Sequence, residues 1–159
     1  MVLVDTHCHL DFHLFDADRE KVVERAHQKG IAGLVNPGID LQTSLAAVRL
    51  SETIPGLFAA AGIHPGECST WNDKSGEELM ELAQHPRVVA IGEIGLDYFH
   101  QPFSAEQQKQ VLLSQLSIAA SLELPVIIHS RKIENIIHDL ERHSNSEAKF
   151  SEIFNCIFV

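Results

Sequence analysis

Short apolar segments with the composition of β-strands alternate with helix-like segments along this chain. The strands are expected to begin at Val2, Ile31, Leu57, Val88 and Pro125, at intervals of 29, 26, 31 and 37 residues. The first is expected to be buried, the third to end at Ala61 and the fourth at Ile91. These segments lack a strict alternation of apolar and polar residues, which is typical of parallel strands covered by helices on the sheet faces. The rhythm therefore predicts an α/β fold built from repeated strand–helix units.

The segments between the strands are predicted to be helices, because apolar residues recur in them at helical spacing. Asp16 or Asp18 is expected to cap the first helix, and Asp40 the second. Ser104 and Gln107 form the pattern of a capping box before a long helix. The predicted helices lie at 16–29, from 40 onward, around 77–84, after 104 and around 133–140. No linker divides the chain, so a single domain over residues 1–159 is expected.

Composition and charge narrow the class of protein. The chain has 159 residues, of which 45% are hydrophobic and 21% charged, as in a soluble globular domain. A net charge of −10 argues against an extended basic surface for nucleic acid, although bound metal ions could supply positive charge for a phosphate substrate. Cys8, Cys68 and Cys156 suggest no disulfide framework and fit a reducing compartment. Without a signal-like or membrane-spanning apolar run, a cytoplasmic protein with no membrane partner is expected.

Potential metal ligands follow the apolar part of four of the five predicted strands. His7 and His9 follow the first, His64 the third, Glu93 the fourth and His129 the fifth. His7 and His9 are two residues apart, so on an extended backbone they point to the same side. In a parallel β/α barrel the carboxyl ends of the strands meet at one face, where active sites are built.

A carboxylate among several imidazoles suits divalent cations such as Zn²⁺ or Mn²⁺, with Mg²⁺ possible when phosphate oxygens join the ligand set. A glutamate can bridge two ions, and two ions about 4 Å apart can activate water and stabilise a phosphoester displacement. The chain has no Gly-rich phosphate loop, no G-x-S-x-G and no C-x-x-C. The residues themselves therefore predict a metal-dependent hydrolase, and they do not select a nucleic acid over another ester or an amide.

Four motifs follow one another along the chain: THCHLD at 6–11, GIHP at 62–65, GEIGLDY at 92–98 and IIHSR at 127–131. Together they resemble the TatD family of metal-dependent deoxyribonucleases, which are barrel hydrolases of the amidohydrolase type. The resemblance implies a TIM-barrel-like (β/α)8 metallo-hydrolase fold and hydrolysis of phosphodiester bonds, with DNA as the substrate. It covers residues 1–142.

The resemblance also implies roles for individual residues. His7 and His9 match ligands of a first metal ion, Glu93 matches the bridging carboxylate and main catalytic residue, and His129 matches a ligand of a second ion. Two divalent cations (Mg²⁺, Mn²⁺ or Zn²⁺) are thus implied for the complete family site.

Neighbouring motif positions suggest supporting roles. His64 and Arg131 are expected to face the substrate phosphate, for which the planar guanidinium of arginine is well suited. Asp97 is expected to orient a metal ligand. Cys8 lies between His7 and His9, so its thiol is expected to point away from the metal.

The chain departs from the family pattern in two ways. Asn155 stands where the family has a further histidine, and an amide is a poor substitute for imidazole at a transition-metal site. A complete barrel has eight strand–helix units, whereas this chain supplies about five and the start of a sixth and ends before a later aspartate ligand of the family. The expectation is an incomplete barrel, a fragment of a longer enzyme, whose open sheet edges permit self-association.

Three hypotheses on function follow. The first is a TatD-type deoxyribonuclease, with an activity that the missing ligands would reduce, so that at most one ion binds tightly. The second is another amidohydrolase-type reaction on an amide or lactone, in which a carbamylated lysine often takes the place that Glu93 holds here. The third is a fragment without enzymatic activity, which Asn155 favours.

Overall fold

The computed structural model describes residues 2–100 and 103–132, together with the backbone of residues 156–158. Within these residues six strands alternate with four α-helices. The strands are β1 (Leu3–Asp5), β2 (Ile31–Pro37), β3 (Leu57–Ala61), β4 (Val88–Asp97), β5 (Val126–Arg131) and β6 (Cys156–Phe158). The helices are α1 (Arg19–Gln28), α2 (Leu41–Thr53), α3 (Ser75–Ala83) and α4 (Ala105–Ser121).

The six strands form one sheet in sequential order, and each neighbouring pair is parallel. The sheet curls into part of a barrel with helices on its outside. This confirms the prediction of an α/β fold with the strand order of a parallel barrel, because a helical crossover returns each strand to the same direction.

The main core lies between the sheet and the helices. It joins apolar side chains of α2, α3 and α4, such as Val48, Leu79 and Leu112, to strand residues such as Ala59 and Ile91. Burial of these faces is the principal stabilising force of such a layer.

The opposite, concave face of the sheet carries a smaller cluster of Val35, Ala60, Ala90 and Ile127. Two of these four are alanines, which leave room where strands converge. On β5, His129 lies two residues beyond Ile127 and therefore projects from the same concave face. On this face of β5 the apolar Ile127 is therefore followed by the polar His129 at the carboxyl end of the strand.

Helix starts follow the sequence in part. Asp40 caps α2 through Thr43, whose hydroxyl returns a reciprocal contact, and Ser104 accepts the Gln107 amide at the start of α4. Asp18, one of the two predicted residues, occupies the N-cap position of α1, but its side chain forms no capping hydrogen bond. Asp16 instead binds Arg19, at 2.6 Å.

Two strands differ from their predictions. The first strand was expected to be buried, yet Leu3 and Val4 are 41% and 52% exposed, because β1 pairs with β2 alone among the described strands. The fourth was expected to end at Ile91, but β4 continues to Asp97 and pairs with β5 as far as Arg131. Gly92 and Gly95 are typical of a loop in sequence, but in the fold they lie within β4 and permit close packing of the strands.

The last predicted helix, around 133–140, lies outside the described residues, and the single-domain prediction for 1–159 stays a prediction. None of the helices that the structure describes has the length and hydropathy needed to cross a bilayer.

Candidate metal centre

Two imidazoles converge just beyond β1. The Nε2 atoms of His7 and His9 lie 3.0 Å apart, with the rings edge to face. Both atoms face Glu93 Oε2, at 3.4 Å from His7 and 3.7 Å from His9. Two nitrogens each bound at about 2.1 Å to one ion lie roughly 3.0–3.4 Å apart for octahedral or tetrahedral angles. This trio therefore has the spacing and the chemistry of a divalent-cation site.

The second oxygen of Glu93 faces a different pair of imidazoles. Glu93 Oε1 lies 2.8 Å from His129 Nδ1 and 3.8 Å from His64 Nε2, and these three residues form a second group with metal-ligand spacing. Glu93 is thus the one residue shared by both groups among the described residues. A carboxylate in this position can bridge two cations.

Burial and hydrogen bonding shift the pKa values of Glu93 and His129 in opposite directions. Burial by itself raises the pKa of Glu93, but hydrogen bonds from His129, His7 and His9 outweigh it and hold that pKa well below its usual range. The hydrogen bond to Glu93 raises the pKa of His129 above its ordinary value. The two residues are thus coupled by their hydrogen bond, and a cation bound between them would compete with the proton on His129 Nδ1.

His64 has a different protonation state. Its Nδ1 accepts the backbone N–H of Gly66 at 2.9 Å. A backbone amide is always the donor, so the neutral ring of His64 carries its hydrogen on Nε2. Burial lowers the pKa of His64 to about 4, which keeps the ring neutral. His64 consequently presents an N–H donor to the centre, although distance alone groups it with the metal ligands.

Asp97 links His129 to the rim of the site. Its Oδ2 lies 3.5 Å from His129 Nε2 and accepts a 2.7 Å hydrogen bond from His100 Nδ1, while its Oδ1 accepts the amides of Phe99 and His100. Burial raises the pKa of Asp97, but the hydrogen bonds from His100 and Phe99 prevail and lower it below the usual range. Carboxylates placed behind a ligand histidine fix its ring and tautomer.

The ring of His9 is held on two sides. Phe12 stacks on it with centroids 5.0 Å apart, and Asp11 Oδ1 lies 3.9 Å from its Nδ1. Asp11 is itself fixed by the fully buried Asn36, whose amide nitrogen donates to Asp11 Oδ1 at 2.9 Å. Sequence reasoning missed Asn36, because Asn-Pro-Gly at 36–38 is a turn pattern in sequence, whereas β2 continues through Asn36 to Pro37 and buries the amide.

The structure brings together His7, His9, His64, Glu93 and His129. Arg131 lies apart from this cluster, exposed at the end of β5 over the ring of Phe99. As expected, the thiol of Cys8 points away and approaches the Val35 carbonyl at 3.3 Å. Asn155 lies outside the described residues. His100 was missed, since it stands three residues beyond Asp97, the last residue of β4, and only the turn after the strand brings its ring back to Asp97.

Two buried ring nitrogens, His7 Nδ1 and His129 Nε2, have no hydrogen-bond partner among the described residues, although Asp97 Oδ2 lies 3.5 Å from the latter. They are not the nitrogens that face Glu93, which are His7 Nε2 and His129 Nδ1. Buried polar atoms without partners are rare in native proteins and often mark a functional site. A parallel β/α barrel with such a cluster at the carboxyl ends of its strands belongs to the class of metal-dependent hydrolase folds.

The family model described as TatD related DNase matches residues 4–157, so the chain belongs to this family. A 3'-5' ssDNA/RNA exonuclease TatD from Musicola paradisiaca is 42% identical over 119 residues, which cover 74% of this chain and 45% of that protein. An uncharacterized metal-dependent hydrolase, YjjV of Escherichia coli, is 39% identical over 143 residues, covering 88% of this chain and 55% of YjjV.

The solved structure of YjjV, described as a TatD homologue, superposes with a TM-score of 0.76 at 36% sequence identity. The match covers 89% of this chain and 56% of that structure. The chain therefore spans about half the length of the curated relatives it matches.

Proposed function

We propose that this chain carries the metal centre of a hydrolase that cleaves phosphodiester bonds in single-stranded nucleic acid. The observation that supports this most is Glu93, whose two oxygens face two separate sets of imidazoles. The name of the relative from Musicola paradisiaca, a 3'-5' ssDNA/RNA exonuclease, supplies the substrate class.

In this proposal His7, His9 and Glu93 hold one divalent cation, and Glu93 with Nδ1 of His129 contributes to a second. Mg²⁺, Mn²⁺ and Zn²⁺ are all compatible with imidazole and carboxylate ligands. Bound cations would lower the pKa of water and stabilise the negative charge that develops at phosphorus. The tightest binding is expected at the first site, because three ligand side chains converge there, whereas at the second His64 presents an N–H and leaves only Glu93 and His129.

The remaining residues position groups around this centre. Asp97, hydrogen-bonded to His100, keeps Nε2 of His129 oriented and leaves Nδ1 to face Glu93. His64 donates its Nε2 hydrogen to a phosphoryl oxygen, since its Nδ1 is committed to Gly66. A neutral donor suits this role, because it adds no charge that would repel a bound cation.

The test combines metal binding with hydrolysis. Calorimetric titration with Mn²⁺ is carried out on the wild-type chain, on Glu93→Gln, and on Glu81→Gln as a control on the exposed face of α3. Because loss of an orienting residue already costs about 10–100-fold in metal affinity, loss of the shared ligand is expected to cost more than roughly 100-fold. The control variant should bind like the wild type.

Hydrolysis is then followed with a single-stranded oligodeoxynucleotide and with bis(p-nitrophenyl) phosphate in the presence of Mn²⁺. The wild type, which has Asn155 in place of a family histidine, is expected to cleave both slowly, and Glu93→Gln is expected to cleave neither. Unchanged Mn²⁺ affinity in Glu93→Gln would contradict the assigned centre. Cleavage of a p-nitroanilide or a lactone instead of either diester would favour the amidohydrolase-type alternative.

A further inference from the structure

A half-exposed aromatic ring at the rim of the metal centre carries two cations. The side chain of Phe99 follows β4 and is 50% exposed. Arg131 Cζ lies 4.6 Å from its centroid, and Lys132 Nζ lies 5.0 Å from it. Both distances are within the range of cation–π attraction.

We propose that Arg131 and Lys132, held on the ring of Phe99, form a phosphate clamp that binds a second phosphate of a polynucleotide whose neighbouring phosphodiester occupies the metal centre. This inference rests on the proposed function, and it adds the subsite that selects a polynucleotide over a small phosphodiester.

The charges of the clamp support an anionic occupant. No carboxylate among the described residues lies within ion-pair distance of Arg131 or Lys132. Both cations contact one ring, so they are within roughly one Debye length, about 10 Å at 0.1 M salt, of each other and repel. An anion between or beside them relieves this repulsion.

The clamp is physically connected to the metal centre. The Phe99 amide donates to Asp97 Oδ1 at 2.9 Å, and the other oxygen of Asp97 lies 3.5 Å from His129 Nε2. On the neighbouring strand, Arg131 follows His129 by two residues and shares its side of the sheet, about 7 Å further along. The position of the ring is thus tied to the carboxylate that orients a candidate metal ligand.

This separation determines the kind of ligand. A group that reaches both the metal centre and the clamp must carry at least two negatively charged groups several ångströms apart. A nucleic-acid strand presents phosphates at such spacing, and its contacts with Lys and Arg supply affinity without sequence preference. Stacking of a base on Phe99 is not required, since the ring already carries the cations.

The experiment measures binding in EDTA, so that no cleavage occurs. Fluorescence anisotropy follows a labelled oligothymidylate of about ten nucleotides, a typical length for single-strand sites, over a series of salt concentrations. Each phosphate contact on a single strand contributes about 0.7 to the slope of log K against log salt, so Lys132→Ala should reduce the slope by about 0.7 and weaken binding roughly fivefold at 0.1 M. Lys29→Ala, which removes an exposed charge at the end of α1, should change neither quantity.

The role of the ring is tested separately. Phe99→Leu keeps apolar bulk but removes the aromatic face, and is expected to weaken oligonucleotide binding as Lys132→Ala does. Phe99→Tyr, which keeps the face, should restore it. Equal effects of Lys132→Ala and Lys29→Ala, or wild-type affinity in Phe99→Leu, would overturn the clamp.

The two proposals can fail independently. Mn²⁺-dependent hydrolysis of bis(p-nitrophenyl) phosphate, together with oligonucleotide affinity that is indifferent to Lys132→Ala, would refute the clamp and leave the proposed function standing. Oligonucleotide binding that depends on Lys132 and Phe99, in a chain that hydrolyses neither diester, would support the clamp and refute the proposed function.

Discussion

Gln115 is fully buried on α4, and its side-chain amide pairs with the backbone of Ile63. Its Oε1 accepts the Ile63 N–H at 2.7 Å, and its Nε2 donates to the Ile63 carbonyl at 2.9 Å. Ile63 directly precedes His64. We predict that Gln115→Met, which keeps the length of the side chain and removes both polar groups, destabilises the fold.

The size of the effect follows from the two backbone groups that lose their partner. An unsatisfied buried donor or acceptor costs about 1–3 kcal/mol, so the pair costs about 2–6 kcal/mol, and removal of the buried amide offsets part of this. A net loss of about 3 kcal/mol is expected, which in a chain of this size lowers the melting temperature by roughly 6–12 °C. Urea unfolding followed by circular dichroism measures the free energy of unfolding directly.

The matched control is Gln110→Met, at an exposed position of the same helix. It changes the same atoms without leaving a buried group unpaired, so its effect should stay within about 0.5 kcal/mol. If Gln115→Met cost no more than Gln110→Met, the pairing with Ile63 would contribute nothing to stability and the reasoning would be refuted.

Three further predictions concern the site and its surroundings. A methyl group at Gly95 would overlap the carbonyl oxygen of His129, so Gly95→Ala should lower both the free energy of unfolding and the affinity for Mn²⁺. A strand substitution that only destabilises the fold should leave the affinity for Mn²⁺ unchanged. Without metal, the chain should be most stable near pH 6.5. The pKa of His129 is raised on folding, so its proton stabilises the fold below pH 6.5 and this stability is lost as the pH rises through the raised pKa. The pKa of His64 is lowered on folding to about 4, so stability is lost as the pH falls from 6.5 toward 4. Urea titrations in EDTA from pH 4 to 9 test this, and His129→Asn should remove the decline on the alkaline side. Burial and the nearby Asp5 and Asp11 raise the pKa of the Cys8 thiol to about 12, so in a Cys156→Ser background the folded chain should react slowly with a disulfide reagent at pH 8 and quickly in urea.

Much of the fold could be predicted because the relevant signals are local. The strand that begins at Leu57 ends at Ala61 as expected, and Asp40 caps α2 through Thr43. Both results depend on residues within a few positions of each other. Convergence of the site was also predictable, since parallel topology brings the carboxyl ends of successive strands to one edge and thereby joins Glu93 to His129.

Other features depend on contacts that sequence spacing does not reveal. The protonation of His64 follows from the Gly66 amide two residues later, and only the backbone conformation shows that this amide turns back onto Nδ1. The exposure of β1 depends on which strands flank it. The extension of β4 through Gly92 and Gly95 reflects close packing against β5, which a glycine-rich stretch in isolation does not indicate.

Buried polar residues on α4 couple this helix to the metal centre. Gln108 lies seven residues before Gln115, about two helical turns away and thus on the same face. It accepts the Asp97 N–H at 2.8 Å and donates to the Asp97 carbonyl at 3.2 Å, just as Gln115 pairs with Ile63. Helix α4 therefore fixes the backbone of Ile63, which precedes His64, and the backbone of Asp97, whose carboxylate lies next to His129. An apolar residue at either position would leave the backbone groups of Ile63 or Asp97 without these partners, so the two glutamines hold the chain just after β3 and at the end of β4 in the conformation that places His64 and Asp97.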